Sequence, residues 1–250
     1  MSVSSEPDRG GAPITTSHLL VRYAKRGKMR FASQLDLARA FERGVRRAGL
    51  PIAYSVGFTP HPKISYAGGV PTGVASEAEY LSLALTSRVE TTSVRERLNA
   101  ALPDGIDVIA VAEDTGGLPA SRLTASEWQV ALPGLTPGSA AMVVQKFLAL
   151  DEAPVERLTS KGMRRMDARS AVVTLTVLNF SLHGACEGAC DDSDVGTTVL
   201  RMVLRHTVPA VRPDDVLNAL RDVSDVIPAA PPLITRLAQG SLGESGVVKL

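Results

Sequence analysis

The stretch from Ser33 to Pro51 constrains the fold more than any other part of this chain. Leu37, Phe41, Val45 and Ala48 recur every three or four residues, and Gly49 and then Pro51 end the run. That spacing places one apolar stripe along a helix. Ser33, with Asp36 three residues on, reads as its capping pair, and the glycine supplies the left-handed residue that closes a last turn. A short helix with a single apolar face gains most of its stability from what it packs against. The neighbouring segments must therefore provide a surface.

They read as strands. His18–Tyr23 is β-branched and aromatic, and Lys25–Lys28 forms a turn after it. Two extended segments, Lys63–Ala67 and Tyr80–Thr86, flank a linker holding Gly68, Gly69, Pro71 and Gly73. A second helix is predicted over Thr92–Leu102, with Val94, Leu98 and Ala101 inward, and Ile106–Val111 as the last strand. The order β-α-β-β-α-β is the ferredoxin-like arrangement. After a linker the order repeats: strand Glu127–Leu132, helix Ser139–Leu150, extended segments near 155–160 and 171–178, strand Thr197–His206, helix Pro213–Val223 and strand Leu233–Leu237. We therefore expect an α+β protein of two ferredoxin-like (βαββαβ) halves with antiparallel sheets. Its parts are a disordered tail (1–16), the first half (17–113), a linker (114–124), the second half (125–240) with a long polar loop at 181–196, and a tail (241–250). The repeat is one of element order, with no sequence repeat behind it.

Bulk properties narrow the functional classes. Hydrophobic residues make up 44% of 250 and charged residues 21%, enough for a sizeable core. Cys186 and Cys190 are the only cysteines, so a disulfide framework is excluded and a reducing, cytoplasmic setting is expected. No apolar run is long enough to span a bilayer, and the polar N-terminus lacks the core of a signal peptide. A phosphate-binding P-loop, a Gly-x-Gly-x-x-Gly turn and a nucleophile elbow are all missing, and we expect no cofactor.

Charge is segregated. Between residues 18 and 66 the chain carries Arg22, Lys25, Arg26, Lys28, Arg30, Arg39, Arg43, Arg46, Arg47 and Lys63 against only Asp36 and Glu42. Arg39, Arg43 and Arg46 fall at i, i+4 and i+7, one face of the first helix, away from its apolar stripe. Such a stripe is the footprint of a polyanion binder, and also of an ordinary solvated helix face. The loop Tyr54–Tyr66 (YSVGFTPHPKISY) favours the first reading: Lys63 and Ser65 suit phosphate oxygens, and Phe58, Tyr54 or Tyr66 suits stacking on an unpaired base. Phe58 packed beneath the loop is the competing reading. His61, between two prolines, fits binding better than acid–base work, which stays open.

In the second half, Lys161, Arg164, Arg165 and Arg169 crowd around Gly162, a turn able to aim backbone N–H groups and cations at one anion. An ordinary charged hairpin has the same composition. His183, Cys186 and Cys190 supply three metal ligands at most, and no matching cluster lies near them in the sequence.

The string MRFASQLDLARAFERGVRRAGLPIAYSVGFTPHPKISYAGGVPTGVASEAEYLSLAL (Met29–Leu85) resembles the radical-SAM-associated family, a bacterial domain of unknown function. That domain is found fused to B12-binding-type radical SAM proteins or as a separate chain. VERLTSKGMRRMDAR (Val155–Arg169) resembles the family's second characteristic stretch. The resemblance implies a radical SAM protein as partner, and it marks Arg30, Arg43, Arg47, Phe58, His61, Ser65, Glu77, Glu79, Lys161 and Arg169 among the recurring positions. Where the family usually has histidine, this chain has Gln34.

Three functions are therefore expected to compete. In the first, an accessory protein holds ribosomal or transfer RNA through Arg30, Arg39, Arg43, Arg46, Arg47, Phe58, His61, Lys63, Ser65, Lys161, Arg164 and Arg169. In the second, an enzyme gathers Asp36, His61, Glu77 and Glu79 around an anionic substrate. In the third, a docking module offers its basic surface to an acidic patch on the radical SAM partner.

Overall fold

Ser33 does cap a helix. Its hydroxyl accepts the Asp36 N–H at 3.2 Å, and the Asp36 carboxylate accepts the Ser33 N–H at 3.1 Å. Helix α1 (Gln34–Arg47) ends at Gly49, whose N–H donates to the Arg46 carbonyl at 3.0 Å and whose φ of +60° turns the chain so that the Leu50 N–H reaches the Val45 carbonyl at 3.2 Å. The computed structural model describes residues 15–114, 122–159, 162–178, 196–224 and 228–243, with the backbone of 246–247. The chain forms two compact units, one of Met1–Gly69 with Glu79–Pro119, the other of Val70–Ala78 with Ala120–Leu250.

In the first unit, β1 (Ser17–Lys25) pairs antiparallel with β4 (Ile106–Glu113). On its other side it neighbours β3 (Ala75–Leu85). Strand β2 (Ile64–Ala67) pairs antiparallel with β3, Ser65 standing opposite Ser82. Side chains alternate across a strand, so Leu19, Val21 and Tyr23 of β1 and Leu81, Leu83 and Leu85 of β3 share one face. On that face they meet Leu37, Phe41 and Val45 of α1 and Val94 and Leu98 of α2 (Thr91–Ala101). Phe41 is fully buried, edge-on to Tyr23 at 4.7 Å between ring centroids and to Tyr66 at 6.3 Å. Both helices of this unit thus cover one face of its sheet.

The second unit orders its strands β3–β10–β5–β9–β8, with β5 (Ala125–Leu132), β8 (Val172–Leu178), β9 (Thr198–Arg205) and β10 (Leu233–Gly240). Its core is built from Trp128, Val130 and Leu132 against Val143, Val144 and Phe147 of α3 (Pro137–Leu148) and Val216 and Leu220 of α5 (Pro213–Asp222).

The architecture is mixed α+β with mostly antiparallel pairing, as the sequence predicts, and it departs from the expectation in four places. Residues 70–78 belong to the second unit, where Ala75 and Ser76 pair in parallel with Thr235 and Arg236 of β10, so the sheets are not wholly antiparallel. The strand that the sequence marks from Tyr80 begins at Ala75, because its polar first part pairs with β10. The segment near 155–160 is not a sheet strand. It forms a separate hairpin of β6 (Pro154–Thr159) and β7 (Gly162–Asp167), followed by the single turn α4 (Ala168–Ala171). Residues 241–250 are not all tail, because β11 (Leu242–Gly243) pairs with β12 (Gly246–Val247). Most of the 181–196 loop lies outside the described residues.

His206 ties the end of β9 to the start of β5. One ring nitrogen, Nδ1, lies 2.6 Å from the Leu123 carbonyl, which can only accept, so the neutral tautomer leaves Nε2 to receive the Ser126 hydroxyl at 2.5 Å. Burial holds this imidazole below its ordinary 6.5; the Leu123 carbonyl opposes the shift and the Arg236 charge reinforces it. The folded state therefore resists a proton that the unfolded chain accepts. Its stabilising contribution is complete above 6.5 and is lost as pH falls through that value. Urea unfolding of the wild type should show stability falling between about pH 7 and pH 5, with a smaller fall for His206→Asn. Phe41→Ala should cost about 3–5 kcal/mol in the same assay, because a fully buried ring leaves a cavity.

Candidate anion-binding site on the helix-free sheet face

Alternation decides where the polar residues of the first unit go. Ile64 and Tyr66 of β2 pack toward α1, so Lys63 and Ser65 emerge on the other face, which neither helix of this unit covers. Ser82 and Ala84 of β3 are turned the same way, since Leu81 and Leu83 face the core. His18, at the start of β1, alternates with the inward Leu19. Together with Ser55, His61, Pro62 and Ile64 these residues line a surface cavity of about 290 Å³.

The loop that carries His61 is pinned at its neck. The His61 N–H donates to the Ser55 hydroxyl at 3.0 Å, and the Ser55 N–H donates to the His61 carbonyl at 2.9 Å. Tyr54 and Pro62 form a bridge below, and the Lys63 N–H reaches the Ala53 carbonyl at 2.8 Å. His61 and Lys63 are thus fixed at the cavity wall, while the residues between Ser55 and His61 project outward. Gly57, at φ +140°, adopts a backbone geometry that side chains resist, and Phe58 next to it is fully exposed. Phe58 does not pack under the loop. Its ring is exposed on the stretch between Ser55 and His61, both of which line the cavity.

At the edge of the cavity, the Asp114 N–H donates to the His18 carbonyl at 2.8 Å, and the Asp114 carboxylate accepts the Ser82 hydroxyl at 3.2 Å. The cavity therefore combines two imidazoles, one ammonium and three hydroxyls with one carboxylate at its margin. Cations and hydroxyl donors converging in a concavity suit a phosphate group.

The other residues picked out by sequence do not gather here. Arg39, Arg43 and Arg46 are exposed on α1, so they lie on the opposite side of the sheet from Lys63 and His61. The single concave surface that the charge pattern invited does not form, because a helix packed on one sheet face cannot offer its outer side to the other. Arg47 donates to the Ala101 carbonyl at 2.9 Å and closes the end of α2, a structural use. Arg169 likewise reaches the Leu148 carbonyl at 3.3 Å, at the end of α3. Arg30 lies over the Phe31 ring, 5.4 Å from its centroid. Arg164 is exposed on β7, and Lys161 lies outside the described residues, as do His183, Cys186 and Cys190.

Of Asp36, His61, Glu77 and Glu79, only His61 lines the cavity. The Asp36 carboxylate is engaged by Ser33, whose hydroxyl lies 2.6 Å away; that hydrogen bond holds it below the usual carboxylate range. Glu79 is buried on the helix side, near Gln34 and Gly69. A β-carbon on Gly69 would stand 2.9 Å from Gln34 Oε1 and 3.8 Å from Glu79 Oε2. Glu77 belongs to the second unit. Among the described residues, no group of three or more His, Cys, Asp or Glu comes together as metal ligands. His18 and Asp114 are the functional candidates that sequence reasoning missed. Pairing between β1 and β4, which no local motif announces, brings them to the cavity.

This division of the arginines can be tested by stability alone. Arg47→Ala should lose about 1 kcal/mol in urea unfolding, since it frees a helix-end carbonyl. Arg43→Ala should stay within about 0.5 kcal/mol of the wild type.

Comparison with known proteins places the chain in a family. Residues 18–213 match the family model described as an uncharacterized protein conserved in bacteria (DUF2344), and the chain belongs to that family. No curated protein matches the sequence. Among solved structures, a chain from the crystal structure of a Cbf5-Nop10-Gar1 complex is similar over 99% of this chain, with 10% identity and a TM-score of 0.46. This chain spans 58% of the length of that one, and likeness at that level carries no functional argument.

Proposed function

We propose that this member of the bacterial family is a cytoplasmic RNA-binding accessory protein of a radical SAM enzyme, built from two ferredoxin-like halves. The observation that carries the RNA reading is the polar cavity of about 290 Å³ on the helix-free sheet face, with Phe58 exposed on the loop that supplies Ser55 and His61 to it. Lys63, His61 and Ser65 would hold a phosphate in the cavity while Phe58 stacks on the neighbouring unpaired base. Sheet faces flanked by exposed aromatics commonly read single-stranded RNA in this way. The ferredoxin-like reading is supported by strand order, β4–β1–β3 with β2 on β3 in one unit and β10–β5–β9–β8 in the other. In this reading the β6–β7 hairpin and α4 are an insertion in the second half.

The radical SAM partner is proposed from the resemblance of Met29–Leu85, and one observation supports a surface for it. Arg39, Arg43 and Arg46 form a basic face separate from the cavity. A protein that brings RNA to an enzyme needs two such surfaces, and the α1 face would dock on an acidic patch of the partner.

Fluorescence anisotropy with a single-stranded RNA oligonucleotide tests the proposal. Affinity should fall steeply between about 50 and 200 mM salt, as counterion release requires. Lys63→Glu should abolish binding, and Phe58→Ala should weaken it by about 1–3 kcal/mol. Arg39→Glu with Arg43→Glu should leave RNA affinity nearly unchanged and break co-purification with the enzyme. A flat salt response, or full affinity in Lys63→Glu, would overturn the RNA assignment.

A further inference from the structure

His18 and His61 come from segments more than forty residues apart in sequence and line one cavity together with Lys63. Binding a phosphate needs positive charge and hydroxyl donors, which Lys63, Ser55, Ser65 and Ser82 already supply. A second imidazole adds what a binding site does not require, a proton acceptor and a proton donor in the same concavity. Resting on the RNA reading above, we propose that this cavity cleaves RNA, with His18 and His61 as its acid–base pair and Lys63 as its electrostatic stabiliser.

The chemistry is an internal transesterification. The ribose 2′-oxygen attacks the adjacent phosphorus, and the bond from phosphorus to the 5′-oxygen of the next nucleotide breaks. One imidazole takes the proton from the 2′-hydroxyl, while the other, already protonated, gives its proton to the departing 5′-oxygen. The products are a 2′,3′-cyclic phosphate and a 5′-hydroxyl, and neither oxidant nor added nucleophile enters the balance. Negative charge grows on the non-bridging oxygens in the transition state, and the Lys63 ammonium at the cavity wall offsets it. Asp114 is the positioning residue. Its backbone N–H holds the His18 carbonyl and its carboxylate holds the Ser82 hydroxyl, so it fixes the edge of the cavity from which His18 projects. Among the described residues, Lys63 in the cavity lining and the Asp114 carboxylate at its margin are the charged groups that these contacts bring to the site.

The test uses the full chain, EDTA and an end-labelled single-stranded RNA, with the same oligonucleotide in 2′-O-methyl form to measure binding without reaction. Wild-type protein should produce fragments ending in cyclic phosphate. His18→Ala and His61→Ala should each lower the rate measured at saturating protein about 100-fold or more, far beyond any loss of affinity each shows for the 2′-O-methyl oligonucleotide. A substrate with sulfur at the 5′-bridging position needs no proton on its leaving group. It should restore the rate of one histidine variant, thereby identifying the acid, and not of the other. A merely structural histidine would not show that split. Intact RNA in the presence of wild-type protein that binds the 2′-O-methyl form would overturn the cleavage proposal and leave the RNA-binding reading standing. Cleavage that persists in the His18→Ala/His61→Ala double variant, or that disappears with EDTA, would overturn it as well. Failure to bind either oligonucleotide would remove both readings together.

Discussion

The packing of α1 on one face of the first unit's sheet is the constraint from which the rest of that unit follows. Phe41, Leu37 and Val45 enter between the inward side chains of β1 and β3, and α2 covers the remainder of the same face. Once both helices lie on that side, the opposite face has to be made from whatever alternates with the core residues. Around the cavity that remainder is Ser65 of β2 and Ser82 and Ala84 of β3, with Lys63 just before β2. The polar cavity is thus the reverse side of the hydrophobic core, and its floor is as fixed as the sheet itself.

This arrangement separates two sets of cations that sequence alone presents as one. Arg39, Arg43 and Arg46 share the first unit with His61 and Lys63 and lie fewer than thirty residues from them, yet the sheet stands between. Other arginines of the first unit, inside the basic run and beyond it, are employed locally. Arg97, for example, closes the end of α1 by donating to the Ala48 and Gly49 carbonyls, at 2.9 Å and 2.6 Å, and Arg47 returns the same service to α2. A count of positive charges overstates the free cationic surface, because helix ends need donors for their last carbonyls.

Interactions that close over a few residues were legible. The Ser33–Asp36 capping pair, the apolar stripe of α1 and the stop at Gly49 appear as read, since each depends on neighbours within one or two helical turns. The loop from Tyr54 to Tyr66 was recognised as the chemically richest segment from its prolines, histidine and lysine, and that segment does supply His61, Lys63 and Ser65 to the cavity. The first part of β3 was not legible, because Ala75–Glu79 carries Ser76, Glu77 and Glu79 in place of an apolar run, and its pairing with β10 depends on chain far away. The β6–β7 hairpin was half legible: its composition suggested a charged turn, and only the pairing of Val155 with Met166 shows that it stands apart from the sheets.

The sequence by itself determined the class of the molecule: α+β, with its helices in the right places and a basic first half, because side-chain periodicity and charge are properties of the chain. Tertiary structure alone decided which side chains meet. His18 comes to line one cavity with His61, and Asp114 comes to hold the His18 carbonyl and the Ser82 hydroxyl, through pairing across β1, β3 and β4. The physical reason is that hydrogen-bonded strands bring together residues from distant parts of the chain, and alternation across the sheet then sorts them between two faces that no local pattern distinguishes.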